Sequence, residues 1–201
     1  EVDGALQLIT YLVNSGIRVA IGHTAASPEQ IRAAVDAGAT LSTHLGNGCA
    51  EELPRHPNLI WEQLATDSLY ASLIVDGFHL PPATVKAMVR AKTPKRIFLI
   101  TDAIAAAGCA PGNYELSKEP VVLDKEGRVF QAGKPWLAGS AITMNRAVAN
   151  TVKFTGLSLE EVLPMASSEP AKYLGMQPVG RVAAEWAAMD YELCKIKISD
   201  A

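Results

Sequence analysis

Three cysteines in 201 residues are too few and too widely spaced to staple a fold. Cys49, Cys109 and Cys194 are odd in number and form no C-x-x-C pair, so a disulfide framework and a zinc knuckle are both excluded and free thiols are expected. Excess positive charge is lacking too. Eighteen Lys and Arg against 21 Asp and Glu leave a net charge of -3, and the basic residues are scattered, with no stripe to hold nucleic acid or an anionic membrane. No apolar run approaches the ~18 residues of a membrane span. The opening EVDGALQLI has neither the basic start nor the cleavage site of a secretory signal. What remains is the expectation of a cytoplasmic protein whose partner is a small molecule. With 49% hydrophobic and 19% charged residues, the chain has the material for a core in one or two domains.

What is present is a repeated alternation. Four apolar, β-branched runs, at residues 18–22, 39–43, 69–75 and 96–100, each end in polar residues. Helix signals lie between them. Ser27-Pro28-Glu29-Gln30 is a capping box with proline at the first helical position, followed by Ile31, Ala34 and Val35 on one face and Gly38 as the stop. Pro81-Pro82 opens a second helix carrying Val85, Met88 and Val89, and residues 59–64 predict a third. The chain itself opens in a helical pattern of Leu6, Ile9 and Val13, stopped by Asn14-Ser15-Gly16. Continuous apolar strands alternating with helices predict an α/β fold with a helix-covered parallel sheet. After Asp102 the texture changes. VVLDKEGRVF reads as two short strands around a turn, residues 144–154 and 159–166 as helices, and the tail MDYELCKIKI as a strand outside the parallel set.

The strand ends carry the chemistry. His23 ends the first apolar run, His44 the second, His79 the third and Asp102 the fourth. Strand C-termini of a parallel βα fold share one face, so these four side chains are expected to converge. Imidazoles suit a divalent ion that lowers the pKa of a bound water, and a carboxylate can take the proton of that water and deliver it to a leaving group. Plainer readings stand beside this one. A strand-end histidine can serve structural hydrogen bonding, and Asp102 can be a helix N-cap. His56, in PRHPN, reads as a surface residue, Cys49 as a bystander, and Asp76 as the shaper of a turn before Gly77.

The segments GHTAAS, THLGNG, LIVDGFH, LITDAIAAAG and LAGSAITM occur in this order between about Gly22 and Gly180. Together they resemble the N-acetylglucosamine-6-phosphate deacetylase family of the amidohydrolase superfamily. The resemblance implies the C-terminal half of a (β/α)8 metal-dependent hydrolase barrel plus part of a small β-sandwich. Residues 1–112 would supply barrel strands five to eight, 113–136 a β-hairpin or loop insertion, 137–176 helical segments closing the barrel, and 177–201 the start of the β-sandwich accessory domain. It implies His23 and His44 as metal ligands and Asp102 as the catalytic base and acid. His79 would bind the sugar phosphate or polarise the acetyl carbonyl, Asn47 and Gly48 would form a substrate-binding pair, and Arg55 would contact phosphate. Leu137 and Gly139 would lie near the substrate. The implied cofactor is a divalent metal, zinc first, with iron, cobalt or manganese accepted by the same donors. The implied reaction is deacetylation of N-acetylglucosamine 6-phosphate, or a related N-acyl amino sugar, by a homodimer in which some phosphate contacts cross the interface.

Departures from the family pattern fall in the phosphate loop. Gly46 replaces a larger residue, Gly48 an alanine and His56 a glutamate, which leaves the sugar open. The family's metal-ligand glutamate lies on an earlier strand, and no residue here matches it. Two other functions therefore stay in view: a truncated, inactive chain acting as a folded or dimerising module, and an amidohydrolase of a cyclic amide or nucleobase. Asn47 and Arg55 weigh against the latter, whose substrates carry no phosphate.

Overall fold

The structure, a computed structural model, describes residues 1–176. The strand read in MDYELCKIKI, the accessory segment 177–201 and Cys194 lie outside the described residues. Two compact units divide the chain: Glu1–Leu73 with Lys86–Phe98, and Ile74–Val85 with the described residues from Leu99 onward.

The first unit is built around a four-stranded sheet in the order β1-β2-β3-β4, made of Val19–Ile21, Ala39–Ser42, Tyr70–Ile74 and Ile97–Ile100. β1 pairs with β2, and β2 with β3, in parallel. The helices are α1 (Ala5–Asn14), α2 (Pro28–Asp36), α3 (Leu59–Ala65) and α4 (Pro82–Lys92). β3, α4 and β4 each contribute residues to both units. Burial explains the apolar runs: residues 71–75 are all buried, as are Ile97, Phe98 and Leu99, as expected of strands covered on both faces. α2 starts where its capping box starts it. Ser27 Oγ accepts from Gln30 N at 3.3 Å, and Gln30 Oε1 accepts from Ser27 N at 2.8 Å. From there Ile31 packs with Ala26, Leu59 and Leu69 in one core cluster. α3 is capped by Asn58, whose side-chain oxygen accepts from Ile60 N and Trp61 N. α1 forms where its pattern predicts, yet none of its residues is buried, and Leu6, Leu8 and Tyr11 stand exposed.

A charged group lies inside this unit. The Lys92 ammonium, at the end of α4, donates to Thr66 O and, at 2.9 Å, to Leu69 O, and the residue is buried. Burial pushes its pKa down to about 8; Asp67 opposes that shift and Arg96 adds to it.

The second unit holds an antiparallel sheet, β5-β6-β7-β8, made of Gly112–Leu116, Glu119–Leu123, Arg128–Gln131 and Leu137–Ser140. Ser117 and Lys118, both at positive φ, form the two-residue turn between β5 and β6, the geometry that fits the twist of paired strands. Val121, Leu123 and Val129 pack with Ala106 beneath it. This sheet is larger than the sequence suggests. It begins at Gly112 and runs past residue 136 to include Leu137–Ser140, a stretch assigned above to helical segments. The reason is tertiary. Residues 137–140 find β7 as a ladder partner, and Ser140 also bonds the loop at Asp102. Helices α5 (Met144–Thr155), α6 (Leu159–Val162) and α7 (Ser168–Tyr173) follow. Ser158 and Glu161 form the capping box of α6, and the stretch Leu163–Ala166, which contains Pro164, tightens into a 3-10 turn. Among the described residues no helix is long and apolar enough to cross a membrane.

Candidate active site

Six residues other than glycine have positive φ among those described. Ser117 and Lys118 make a hairpin turn and Thr93 precedes Pro94; the other three are His23, His44 and Asp102, with φ of 46, 28 and 49°. Such conformations cost about 1–3 kcal/mol each and persist where the surroundings over-determine them, which is the usual condition of functional positions.

In the first unit that over-determination is visible at His44. Its backbone N–H donates to Ser72 Oγ at 2.8 Å, and Ser72 Oγ donates to Ser42 O at 3.2 Å. Leu45 N donates to Ser72 O at 2.9 Å, fixing the next residue to the same strand. From the other side the Asn47 backbone N and side-chain Nδ2 donate to His44 O at 2.9 and 3.2 Å. Asn47, implied above as a substrate contact, thus ties its amide to the histidine loop.

The His44 ring is buried while His23 is exposed, and the two meet edge to face with centroids 4.7 Å apart and planes at 82°. His44 Nδ1 is buried with no hydrogen-bond partner among the described residues. An orphaned buried nitrogen costs about 1–3 kcal/mol, so the pair carries unused donor capacity of the kind that suits a divalent ion. Gly48, at φ +65°, passes against this pair. A Cβ there would lie 2.7 Å from His23 Nδ1, so only glycine leaves the ring where it is. Arg55 is exposed, on a loop held by Asn58 Nδ2 donating to Pro54 O at 2.9 Å. His56 is exposed beside Trp61, with ring centroids 6.3 Å apart. Cys49 Sγ lies 3.7 Å from Gly46 O and packs against the core cluster.

In the second unit Asp76 and His79 form a close pair, Nδ1 to Oδ2 at 2.6 Å, with side chains 7% and 10% exposed respectively. The other oxygen, Oδ1, accepts from Phe78 N at 2.8 Å and His79 N at 2.9 Å. Burial alone would raise the Asp76 pKa. The hydrogen bonds from the His79 ring and from the two backbone N–H groups outweigh it and hold the carboxyl below the usual range. Asp102 is exposed, and no helix follows it, so the N-cap alternative does not apply. Its carbonyl accepts from Ser140 N at 3.1 Å, and Ile104 N returns a bond to Ser140 O at 2.9 Å. Gly139, at φ +85°, permits this approach, since a Cβ there would lie 2.7 Å from Ile104 Cγ2. Leu137 sits on β8 opposite Phe130. Gly139 and Ser140 thereby brace the Asp102 loop.

Among the described residues no group of three or more His, Cys, Asp or Glu is placed to hold a metal. Each unit instead carries one pair, His23–His44 and Asp76–His79. Ser72 and Asp76 were not among the expected site residues. Ser72 is signalled only as the one serine in the strand run YASLI, and Asp76 only by its spacing of three from His79.

No family model matches the chain. Individual proteins do. It is 39% identical over 179 residues to an N-acetylgalactosamine-6-phosphate deacetylase of Escherichia coli O157:H7, covering 89% of this chain and 47% of that protein. It is 35% identical over 188 residues to an N-acetylglucosamine-6-phosphate deacetylase of Lysinibacillus sphaericus, covering 94% and 48%. Among solved structures, the N-acetyl-D-glucosamine-6-phosphate deacetylase of Mycobacterium smegmatis, determined with N-acetyl-D-glucosamine-6-phosphate, aligns at a TM-score of 0.82 and 37% identity over 88% of this chain and 47% of that one. The chain spans about half the length of the curated relatives it matches.

Proposed function

We infer, from the premise that this chain belongs to the N-acetylglucosamine-6-phosphate deacetylase family, that it carries part of a metal-dependent deacetylase of N-acetylhexosamine 6-phosphates. The products are the free amino sugar phosphate and acetate. N-acetylglucosamine 6-phosphate is the first substrate to consider. The identity to an N-acetylgalactosamine-6-phosphate deacetylase puts the epimeric sugar beside it. We take β1 to β4 as four consecutive strands of a (β/α)8 barrel, a reading supported by their sequential order and by the parallel pairing of β1 with β2 and of β2 with β3. The accessory β-sandwich, a homodimer and a cytoplasmic setting belong to the same proposal.

The observation that carries it is the His23–His44 pair: two strand-end imidazoles edge to face, one with a buried nitrogen that has no partner among the described residues, each held at positive φ. Such a donor pair fits a divalent ion, zinc first, with iron, cobalt and manganese taken by similar donors. Bound there, the ion would polarise the acetyl carbonyl and activate water for attack. Asp102 is the proposed general base and acid, taking the proton of the attacking water and delivering it to the leaving amine. Its exposure and braced backbone suit a group that must reach substrate. His79 is proposed to hold a substrate oxygen, Arg55 the phosphate, and Asn47 with Gly48 the sugar side of the His44 loop.

The test is elemental analysis of the purified chain together with acetate release from both sugar phosphates. Bound transition metal is the expected result, with turnover where a second chain completes the site. A folded chain with neither metal nor turnover would reduce it to a folded or dimerising module. An Asp102→Asn variant separates chemistry from binding, with turnover expected to fall about 10²–10⁴-fold while metal content holds.

A further inference from the structure

We propose that Asp76 is a positioning residue that fixes the protonation side of His79, drawing Nδ1–H to its own carboxylate so that Nε2 is the ring nitrogen that takes up a proton and holds it toward a substrate oxygen. The proposal rests on the deacetylase reading for the identity of that substrate.

The geometry separates two jobs of one carboxylate. Oδ1 accepts the backbone N–H groups of Phe78 and His79 at 2.8 and 2.9 Å, which is all a turn requires and all an asparagine would need to supply. Oδ2 is used for something a turn does not need, the 2.6 Å contact to His79 Nδ1. An ionised carboxylate only accepts, so Nδ1 must carry the hydrogen. Asp76 is held ionised by the bonds it receives, with the His79 contribution the largest of them. Nε2 is then the ring nitrogen left for a ligand. When it takes a proton, the positive charge is balanced through the ring by a carboxylate that is itself nearly buried. The ring can therefore donate to a phosphate or carbonyl oxygen without burying an unpaired charge.

Asparagine at this position preserves the turn and reverses the chemistry. Its oxygen still accepts the two backbone N–H groups. Its amide N–H₂ would face Nδ1 and donate to it, which moves the ring hydrogen to Nε2 and leaves no counter-charge for an imidazolium. The chain has four histidines, few enough to assign by long-range ¹⁵N–¹H correlation on the ¹⁵N-histidine-labelled full chain. The expected result is an Nδ1–H ring for His79 in the unaltered protein and an Nε2–H ring in Asp76→Asn. The urea midpoint should fall modestly, because a carboxyl held below its usual range stabilises the fold at neutral pH, while N-acetylglucosamine 6-phosphate binding weakens about 10- to 100-fold as the imidazolium loses its counter-charge. If the asparagine variant does not fold, the unaltered protein decides alone: an Nε2–H ring for His79 there overturns the proposal.

An unchanged tautomer in the variant overturns the proposal and leaves the deacetylase reading standing. A changed tautomer with unchanged affinity overturns it as well. If the unaltered chain binds neither N-acetylglucosamine 6-phosphate nor its epimer, the deacetylase reading falls first, and the substrate role of His79 with it.

Discussion

His23 and His44 meet edge to face, with ring centroids 4.7 Å apart and planes at 82°, and the Nδ1 of the buried member has no partner among the described residues. Two imidazoles at positive φ are an expensive way to fill a loop. Substituting either histidine by alanine keeps the Cβ, and with it the backbone strain, and should change stability modestly, while divalent-ion binding falls by at least tenfold. Cobalt(II) titration followed by visible absorption, beside urea unfolding of each variant, makes the comparison. If both single variants bind cobalt as the unaltered chain does, the pair is structural and its orphaned nitrogen has another cause.

Ser72 and Ser42 should respond in opposite ways to the same substitution. Ser72 Oγ accepts from His44 N and donates to Ser42 O, so Ser72→Ala removes a buried partner from two backbone groups and should cost about 1–3 kcal/mol. Ser42 Oγ is buried with no partner among the described residues, so Ser42→Ala should be neutral or stabilising. Only Ser72→Ala should also weaken metal binding, because it releases the backbone that holds His44 at φ 28°. Equal urea midpoints for the two variants would show that the Ser72 bonds contribute nothing net.

Lys92 makes stability depend on alkaline pH. Its folded pKa, about 8, lies below the ordinary 10.5, because burial opposes the charge more than Asp67 favours it, and Arg96 adds to the burial effect. Below about pH 8 both states are protonated and this group adds no slope. Between about pH 8 and 10.5 the unfolded chain binds more protons than the folded one, so the Lys92 contribution to stability rises with pH across that window. The neutral amine keeps two N–H donors for Thr66 O and Leu69 O, so both bonds can survive deprotonation. Urea midpoints of the unaltered chain and Lys92→Met, taken at pH 7.5 and 10, isolate the effect. The difference between the two proteins should shift in favour of the unaltered chain as pH rises, and a constant difference would sink the assignment.

What could be read beforehand was local or periodic. Ser27-Pro28-Glu29-Gln30 is a capping box in sequence and in space, and the apolar runs through β3 and β4 are buried as their composition implies. The strand at Leu137–Ser140 could not be read this way, because its partners are β7 and the Asp102 loop, and its glycine suits an approach that only the fold reveals. Strand-end placement picked out His23, His44 and Asp102, and the structure adds that all three share positive φ, which no propensity encodes. Ser72 and Asp76 escaped because their roles are hydrogen bonds: one reaches 28 residues back to His44, the other uses a second carboxylate oxygen that a turn does not require.

Gly48 offers the sharpest test of how the histidine loop is set. A Cβ at this position would lie 2.7 Å from His23 Nδ1, and the residue sits at φ +65°, where a side chain costs about 1–2 kcal/mol. Gly48→Ala should lower stability by about that amount and push the exposed His23 ring away from His44, so cobalt affinity falls although no ligand is removed. The His23 ring is free to swing because it is exposed, so the loss should appear in metal binding more than in folding. The resemblance noted above places alanine at this position in the family, which gives the opposite result a definite meaning. Were Gly48→Ala to bind cobalt as tightly or more tightly, the loop would have to move off His23 when the ion enters, and the edge-to-face pair would be the geometry of the metal-free chain alone.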